Sequence, residues 1–171
     1  MNEWLQRRSI SKPVFLLIVI LLCTDFALHG GLLVLKIDIH YSTVSGDSMK
    51  KTLSDDSKLL LVKANFKEIK RGDLVSIEAY DNKGRHDFLK RVIALPNENI
   101  KIKGKKVYIN GHLLDEPYAY YRESSTDELT LTVPSDGYFV MGDNRLDSLD
   151  SRTLGPISKT LINYVVLKFK N

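Results

Sequence analysis

Hydrophobicity divides the chain into two regimes. Residues 14–35, VFLLIVILLCTDFALHGGLLVL, form one apolar block. As a helix rising about 1.5 Å per residue it would extend roughly 33 Å, the thickness of a bilayer core. From Tyr41 onward the apolar positions come in short runs, several of them alternating with polar residues at period two. That alternation marks strands with one buried face. The runs are KLLLVKA (58–64), DLVSIEAY (73–80), DFLKRVIAL (87–95), NIKIKG (99–104), KVYING (106–111), ELTLTV (128–133), YFVMG (138–142) and YVVLKFK (164–170). KGKK between Ile102 and Val107 predicts a tight hairpin, and Asn110-Gly111 predicts a second turn. In PISKTLINY (156–164), Pro156 near the start predicts one short helix. RESSTDE (122–128) predicts an exposed loop, and no repeat runs at solenoid period. The expected fold is mainly β: a compact antiparallel domain behind one N-terminal transmembrane helix.

Charge orients that helix. Arg7, Arg8 and Lys12 precede the apolar block. The positive-inside rule then predicts a cytoplasmic N-terminus at 1–12, an anchor at 13–36 and an extracytoplasmic domain at 37–171. Asp25, His29 and Gly30-Gly31 interrupt the block, and a carboxylate there needs a partner or an interfacial position. A cleaved signal peptide with its core at Val14 to Leu22 is the competing reading. Ala27-Leu28-His29 offers no small residue at the cut, so an uncleaved anchor is expected.

Composition narrows the chemistry. The 171 residues are 43% hydrophobic and 27% charged, which fits a globular chain, and the net charge of +4 is mildly basic. No arginine-rich or aromatic-basic patch points to nucleic acid, whereas a mild basic excess suits a neighbour of anionic lipid. Cys23 is the single cysteine, so no intrachain disulfide forms. His29, His40, His86 and His112 lack ligand spacing, so no metal site is expected.

Three stretches carry candidate chemistry. In SGDSMKKTL, Ser48 follows a glycine-containing turn, where an exposed Oγ and a free backbone N–H can meet a substrate carbonyl. An ordinary surface turn has the same composition. A serine nucleophile needs a base, and two lysines are candidates. Lys51 lies three residues on, a Ser-x-x-Lys spacing. Lys90 lies in DFLKRVIAL, where a strand would put Phe88, Lys90 and Val92 on one face. Between apolar neighbours its ammonium would be desolvated and its pKa lowered, making it a base. The third stretch, GDNRLDSLDSR, gathers Asp143, Asn144, Arg145, Asp147, Ser148, Asp150, Ser151 and Arg152 directly after an apolar strand. Asp150 and Arg152 are spaced for a local ion pair, and a hydroxyl from this loop could orient a lysine.

In order along the chain, SGDSMKKTL, GDLVSIEAY, DFLKRVIALPNENI and GDNRLDSLDSRTLG resemble the four boxes of the bacterial type I signal peptidases, membrane-anchored Ser-Lys proteases. Those boxes run approximately SGxSMxPTL, GDIVVF, YVKRVIGLPGD and GDNRDNSxDSRxxG. With the anchor, the resemblance covers residues 14 to 169, and it is closest to the small form of Gram-positive bacteria. It implies Ser48 as nucleophile and oxyanion donor through its N–H, Lys90 as general base, and Ser148 as the hydroxyl holding the lysine. Arg91, Asp150 and Arg152 become structural supports, together with Gly46, Met49, Asp143, Asn144, Arg145 and Ser151. The implied substrates are exported preproteins bearing signal peptides, and the implied surroundings are the lipid membrane. Lys51 for proline, Asn97 for glycine and Leu146-Asp147 for Asp-Asn depart from the pattern. They raise an alternative: an accessory factor assembling pili or other secreted structures, in contact with secretion or pilus machinery and with little peptidase activity. The joint presence of Ser48 and Lys90 favours the enzyme.

Overall fold

The computed structural model describes residues 38–81, 84–121 and 128–170. The expected anchor at 13–36 lies outside the described residues. Among the described residues, no helix is long and apolar enough to cross a membrane. The chain separates into two units, Met1–Asp38 and Ile39–Asn171, and the fold below is that of the second.

Its strands are β1 (Ile39–Thr43), β2 (Lys58–Lys63), β3 (Leu74–Asp81), β4 (Gly84–Ala94), β5 (Asn99–Lys103), β6 (Lys106–Ile109), β7 (His112–Leu113), β8 (Glu128–Thr132), β9 (Gly137–Met141), β10 (Ile157–Ser158) and β11 (Ile162–Lys170). Among the described residues one short α-helix, α1, covers Ser151–Leu154. The larger sheet runs β1-β2-β11-β3-β4-β9-β10 and the smaller β7-β6-β5-β8. Every strand pair is antiparallel. The architecture is the mainly β one that the period-two pattern predicts.

Three apolar clusters hold it together, and pleating assigns residues to them. Val75, Ile77, Val92, Val140 and Val165 fill one face of the larger sheet. Met49, Leu53, Leu59, Leu61 and Leu74 fill another cluster, beneath the Ser48 turn. Ile93 and Ala94 join Ile100, Ile102, Val107 and Phe139 in the third, which joins the smaller sheet to the larger. A register shift between Val92 and Ala94 lets one strand serve two clusters, since a bulge re-aims consecutive side chains. The hairpin at Gly104-Lys105 joins Lys103 to its partner Lys106, with Gly104 at φ 60. Asn110 and Gly111, at φ 52 and 84, make the two-residue turn from β6 to β7.

One expectation holds only in part. Residues 156–164 do contain one short helix, but it is a single 3-10 turn at Lys159–Leu161, set between β10 and the start of β11. Sheet pairing overrides the local pattern, with Ile157 opposite Tyr138 and Ile162 opposite Ile77, both isoleucines being buried.

Candidate active site

The turn bearing Ser48 is held at both ends and from below. Val44 N–H donates to Ser57 O at 2.9 Å and Asp56 N–H to Val44 O at 3.0 Å, closing the loop after β1. Gly46 stands at φ 95, and its N–H donates to the Asp55 carboxylate at 3.1 Å. That left-handed backbone is open to glycine and strained for most other residues. Met49 and Leu53, both buried, plug the turn into the cluster below, and Leu53 N–H donates to Met49 O at 2.9 Å. Lys51 adopts φ 90, a conformation closed to proline.

Lys90 is the lysine that meets Ser48. It projects from β4 with 0% exposure, and its Nζ lies 3.0 Å from Ser48 Oγ and 3.0 Å from Leu89 O. Phe88, on the same strand face, holds its ring centroid 5.3 Å from Nζ. Burial pulls the Lys90 pKa down from 10.5 to about 8, while the negative charges of Asp150, Asp143 and Asp147 oppose the shift. Desolvation wins, because among the described residues no carboxylate pairs directly with the ammonium. The Ser48 backbone N–H makes no hydrogen bond among the described residues, which leaves it free as a donor.

The segment from β9 through α1 braces this pair. Asp143 is fully buried and binds Arg91 through two bonds, Nε to Oδ1 at 2.8 Å and Nη2 to Oδ2 at 2.6 Å. Thr52 Oγ1 also reaches Asp143, tying the Ser48 turn to the same carboxylate. Asn144 N–H donates to Ser48 O at 3.0 Å, and its Nδ2 donates to Asp47 O at 3.1 Å. Asp150 caps α1, accepts from Gly142 N–H at 2.9 Å, and receives Arg152 Nε at 2.9 Å and Nη2 at 3.0 Å. Ser151 Oγ accepts from Val140 N–H at 3.0 Å, fastening α1 to β9. Arg145 donates through Nε to Gly142 O at 3.0 Å and pairs with the Glu116 carboxylate, where Tyr121 OH also meets it. The arginine side chain is 1% exposed and the glutamate 6%, so each charge depends on the other.

Of the residues named from sequence, Ser48 and Lys90 come together directly. Asn144 touches the backbone of the serine turn, and Asp143 grips it through Thr52. Asp150, Ser151 and Arg152 brace the strand end behind it. Ser148 differs from its expected role: its Oγ is buried against Gly142 and makes no hydrogen bond, and the Lys90 partners are Ser48 Oγ and Leu89 O. Gly142 explains the tight packing, since a Cβ there would stand 2.6 Å from Ser48 O and collide with the Ser148 hydroxyl. Gly142, Thr52, Glu116 and Tyr121 were missed. The first two sit inside quoted motifs, but nothing in the local pattern of EPYAYY marks Glu116 as the buried partner of Arg145.

A cavity of about 290 Å³ opens beside Ser48. Ser42, Thr43 and Val44 line it together with Phe88 and Leu89, and Met49 and Leu59 are among its apolar lining residues. Its size suits small side chains, being below the usual range for drug-sized ligands, about 300–1,000 Å³. Among the described residues no cluster of metal-ligating side chains converges.

A family model described as signal peptidase, peptidase S26, matches residues 10–167. Signal peptidase I U of Bacillus subtilis (strain 168) is 44% identical over 119 residues, 64% of this chain and 63% of that protein. The aligned region therefore spans just under two thirds of that relative's length. Signal peptidase I of Bacillus amyloliquefaciens is 37% identical over 131 residues, covering 70% of this chain and 69% of the relative. The crystal structure of a signal peptidase I from Enterococcus faecalis V583 matches with a TM-score of 0.51 at 30% identity, covering 60% of this chain and 98% of that one.

Proposed function

The chain belongs to the signal peptidase family, peptidase S26, and on that premise we propose that it is a serine endopeptidase that cleaves signal peptides from exported preproteins with a Ser48–Lys90 dyad. The single observation that carries the proposal is the 3.0 Å contact between Ser48 Oγ and the buried Lys90 Nζ. With its pKa at about 8, Lys90 is neutral in roughly one molecule in ten at pH 7, against fewer than one in a thousand for an ordinary lysine. Neutral Nζ accepts the Ser48 proton as Oγ attacks the scissile carbonyl. The Ser48 N–H faces the developing oxyanion. The lysine ammonium then gives its proton to the departing amine, leaving an ester on Ser48. Lys90, neutral again, takes a proton from water, and the resulting hydroxide releases the acyl group.

The cleft supports the substrate class. An extended peptide can lie along β1, the edge of the larger sheet, with its small side chains entering the cavity beside Ser48. Small residues at the first and third positions before the cut fit that volume. In this reading the Asp150–Arg152 pair holds the catalytic loop, residues 13–36 anchor the chain, and 1–12 remain cytoplasmic. The domain at 37–171 then works outside the membrane, where tethering raises its concentration near emerging signal peptides.

The test is incubation of the detergent-solubilised full chain with a precursor bearing an Ala-x-Ala site, with the cut mapped by mass spectrometry. Cleavage directly after the second alanine is expected. A folded chain that leaves the precursor intact refutes the proposal.

A further inference from the structure

Asn144 contacts the serine turn in a way that fixes a direction. Its Nδ2 donates to Asp47 O at 3.1 Å and its backbone N–H to Ser48 O at 3.0 Å. One residue thereby holds both peptide groups that flank the Ser48 Cα. In a planar trans peptide, the carbonyl of one residue points opposite to the N–H of the next. Holding Asp47 O, which also accepts from Lys50 N–H at 3.0 Å, therefore aims the Ser48 N–H, which has no hydrogen-bond partner among the described residues. The side-chain amide is itself oriented, because Leu146 N–H donates to Asn144 Oδ1 at 3.3 Å. That assigns the nitrogen to the Asp47 side. Asn144 is 6% exposed, so water does not readily replace it.

The loop that carries Asn144 is fixed in turn. Tyr120 N–H donates to Asp143 O at 2.7 Å, and Arg145 N–H returns to Tyr120 O at 2.9 Å. The Glu116–Arg145 pair locks the same loop from beneath. Asp143 and Arg145, on either side of Asn144, share the Tyr120 backbone and are further anchored through Arg91 and Glu116, so the amide is presented to the serine turn by a braced support. Donors aimed in advance at a developing charge stabilise the transition state more than the bound substrate.

We infer that Asn144 is a positioning residue that orients the Ser48 N–H as the oxyanion donor through the Asp47–Ser48 peptide plane. The inference rests on the serine-protease reading above. It differs from a general supporting role in what it predicts: loss of Asn144 weakens binding of the oxyanion and leaves Lys90 and the substrate cleft unaltered.

The experiment compares detergent-solubilised full-length wild type, N144A and N144D on an Ala-x-Ala peptide, with concentrations fixed by active-site titration. N144D keeps the shape and the backbone N–H but turns a donor into an acceptor facing Asp47 O. Inhibition is measured with a peptide aldehyde, whose serine adduct carries the oxyanion, and with the matching alcohol, which forms none. Removing a whole oxyanion donor lowers kcat by about 10²–10³-fold, and misaiming one is expected to lower it by about 10–100-fold. KM should stay within about twofold, aldehyde affinity should fall with kcat, alcohol affinity should hold, and the pH at which activity rises should not move. A kcat within about threefold of wild type, an equal loss of alcohol affinity, or a shifted pH limb would overturn the assignment. Wild-type NMR decides the matter if both variants unfold. The Ser48 amide should move downfield on aldehyde addition while the Asn144 side-chain amide stays protected from exchange. An unresponsive Ser48 amide, or Asn144 protons exchanging at solvent rates, overturns the assignment equally. A wild-type chain that cuts no precursor defeats the proposed activity instead.

Discussion

Replacing Lys90 by methionine should make the domain more stable at neutral pH while destroying its activity. Lys90 has no exposed surface and, among the described residues, no direct carboxylate partner, and its pKa falls from 10.5 in the unfolded chain to about 8 in the folded one. The difference corresponds to about 3 kcal/mol at about 1.36 kcal/mol per pH unit. Its sign follows from proton binding. Below pH 8 the lysine is charged in both states, and the fold carries the whole desolvation penalty. Between about 8 and 10.5 the unfolded chain binds the extra proton, so wild-type stability rises with pH. Above that window both states are neutral and the penalty is gone. Methionine keeps the length and packing of the side chain and removes the charge, at the loss of hydrogen bonds to Ser48 and Leu89 worth roughly 1 kcal/mol each. Net stabilisation of about 1–3 kcal/mol at pH 7 is expected, shrinking toward or below zero by pH 10. Guanidinium titrations of both detergent-solubilised proteins, followed by circular dichroism at pH 7 and pH 10, measure the two differences. A stability gap that does not change with pH would refute the reasoning, because the penalty would then not arise from ionisation.

The same lysine sets the pH profile: kcat/KM should climb roughly tenfold from pH 7 to a plateau above a limb near 8, and a profile flat across that range would contradict a lysine base. Gly142→Ala should lower kcat at least tenfold and destabilise by about 1–3 kcal/mol, because the new methyl meets Ser48 O, a backbone atom that cannot retreat without moving the nucleophile; precursor cleavage and thermal unfolding check the two parts. Glu116→Gln should lower stability by about 3 kcal/mol or more by leaving the buried Arg145 charge uncompensated, and denaturant unfolding measures it.

The strands were legible because their burial alternates. NIKIK in β5 has buried isoleucines between exposed polar residues, and the period shows in sequence. β1 was not legible: all five residues of Ile39–Thr43 are exposed, Tyr41 to 86%, so no inward face imposes a pattern. Residues 156–164 keep only a 3-10 turn of the expected helix, because the pairing of Ile157 with Tyr138 is set by a distant strand. In the site, pleating put Lys90 and Val92 on one strand face, and both are fully buried. The meeting of Ser48 with a lysine 42 residues away depends on the tertiary fold, and sequence alone brought the pair together only through the ordered boxes. Lys51, nearer in sequence, stands in a left-handed turn, and the Lys90 ammonium is the one that reaches Ser48 Oγ. The Glu116–Arg145 pair spans 29 residues, and no local spacing announces it. Asn97, at φ 66, occupies a backbone position that suits glycine and that asparagine tolerates better than most residues.

The central claim is that Ser48 and Lys90 act as one unit. The direct measurement is cleavage of an Ala-x-Ala precursor by full-length wild type, S48A, K90A and the double variant, each shown to be folded. Each single variant should lose at least about 10³-fold in kcat/KM, and the double variant should be no worse than either, since two halves of one dyad cannot be lost twice. A single variant that still cleaves near the wild-type rate, or losses that multiply in the double variant, would contradict the dyad.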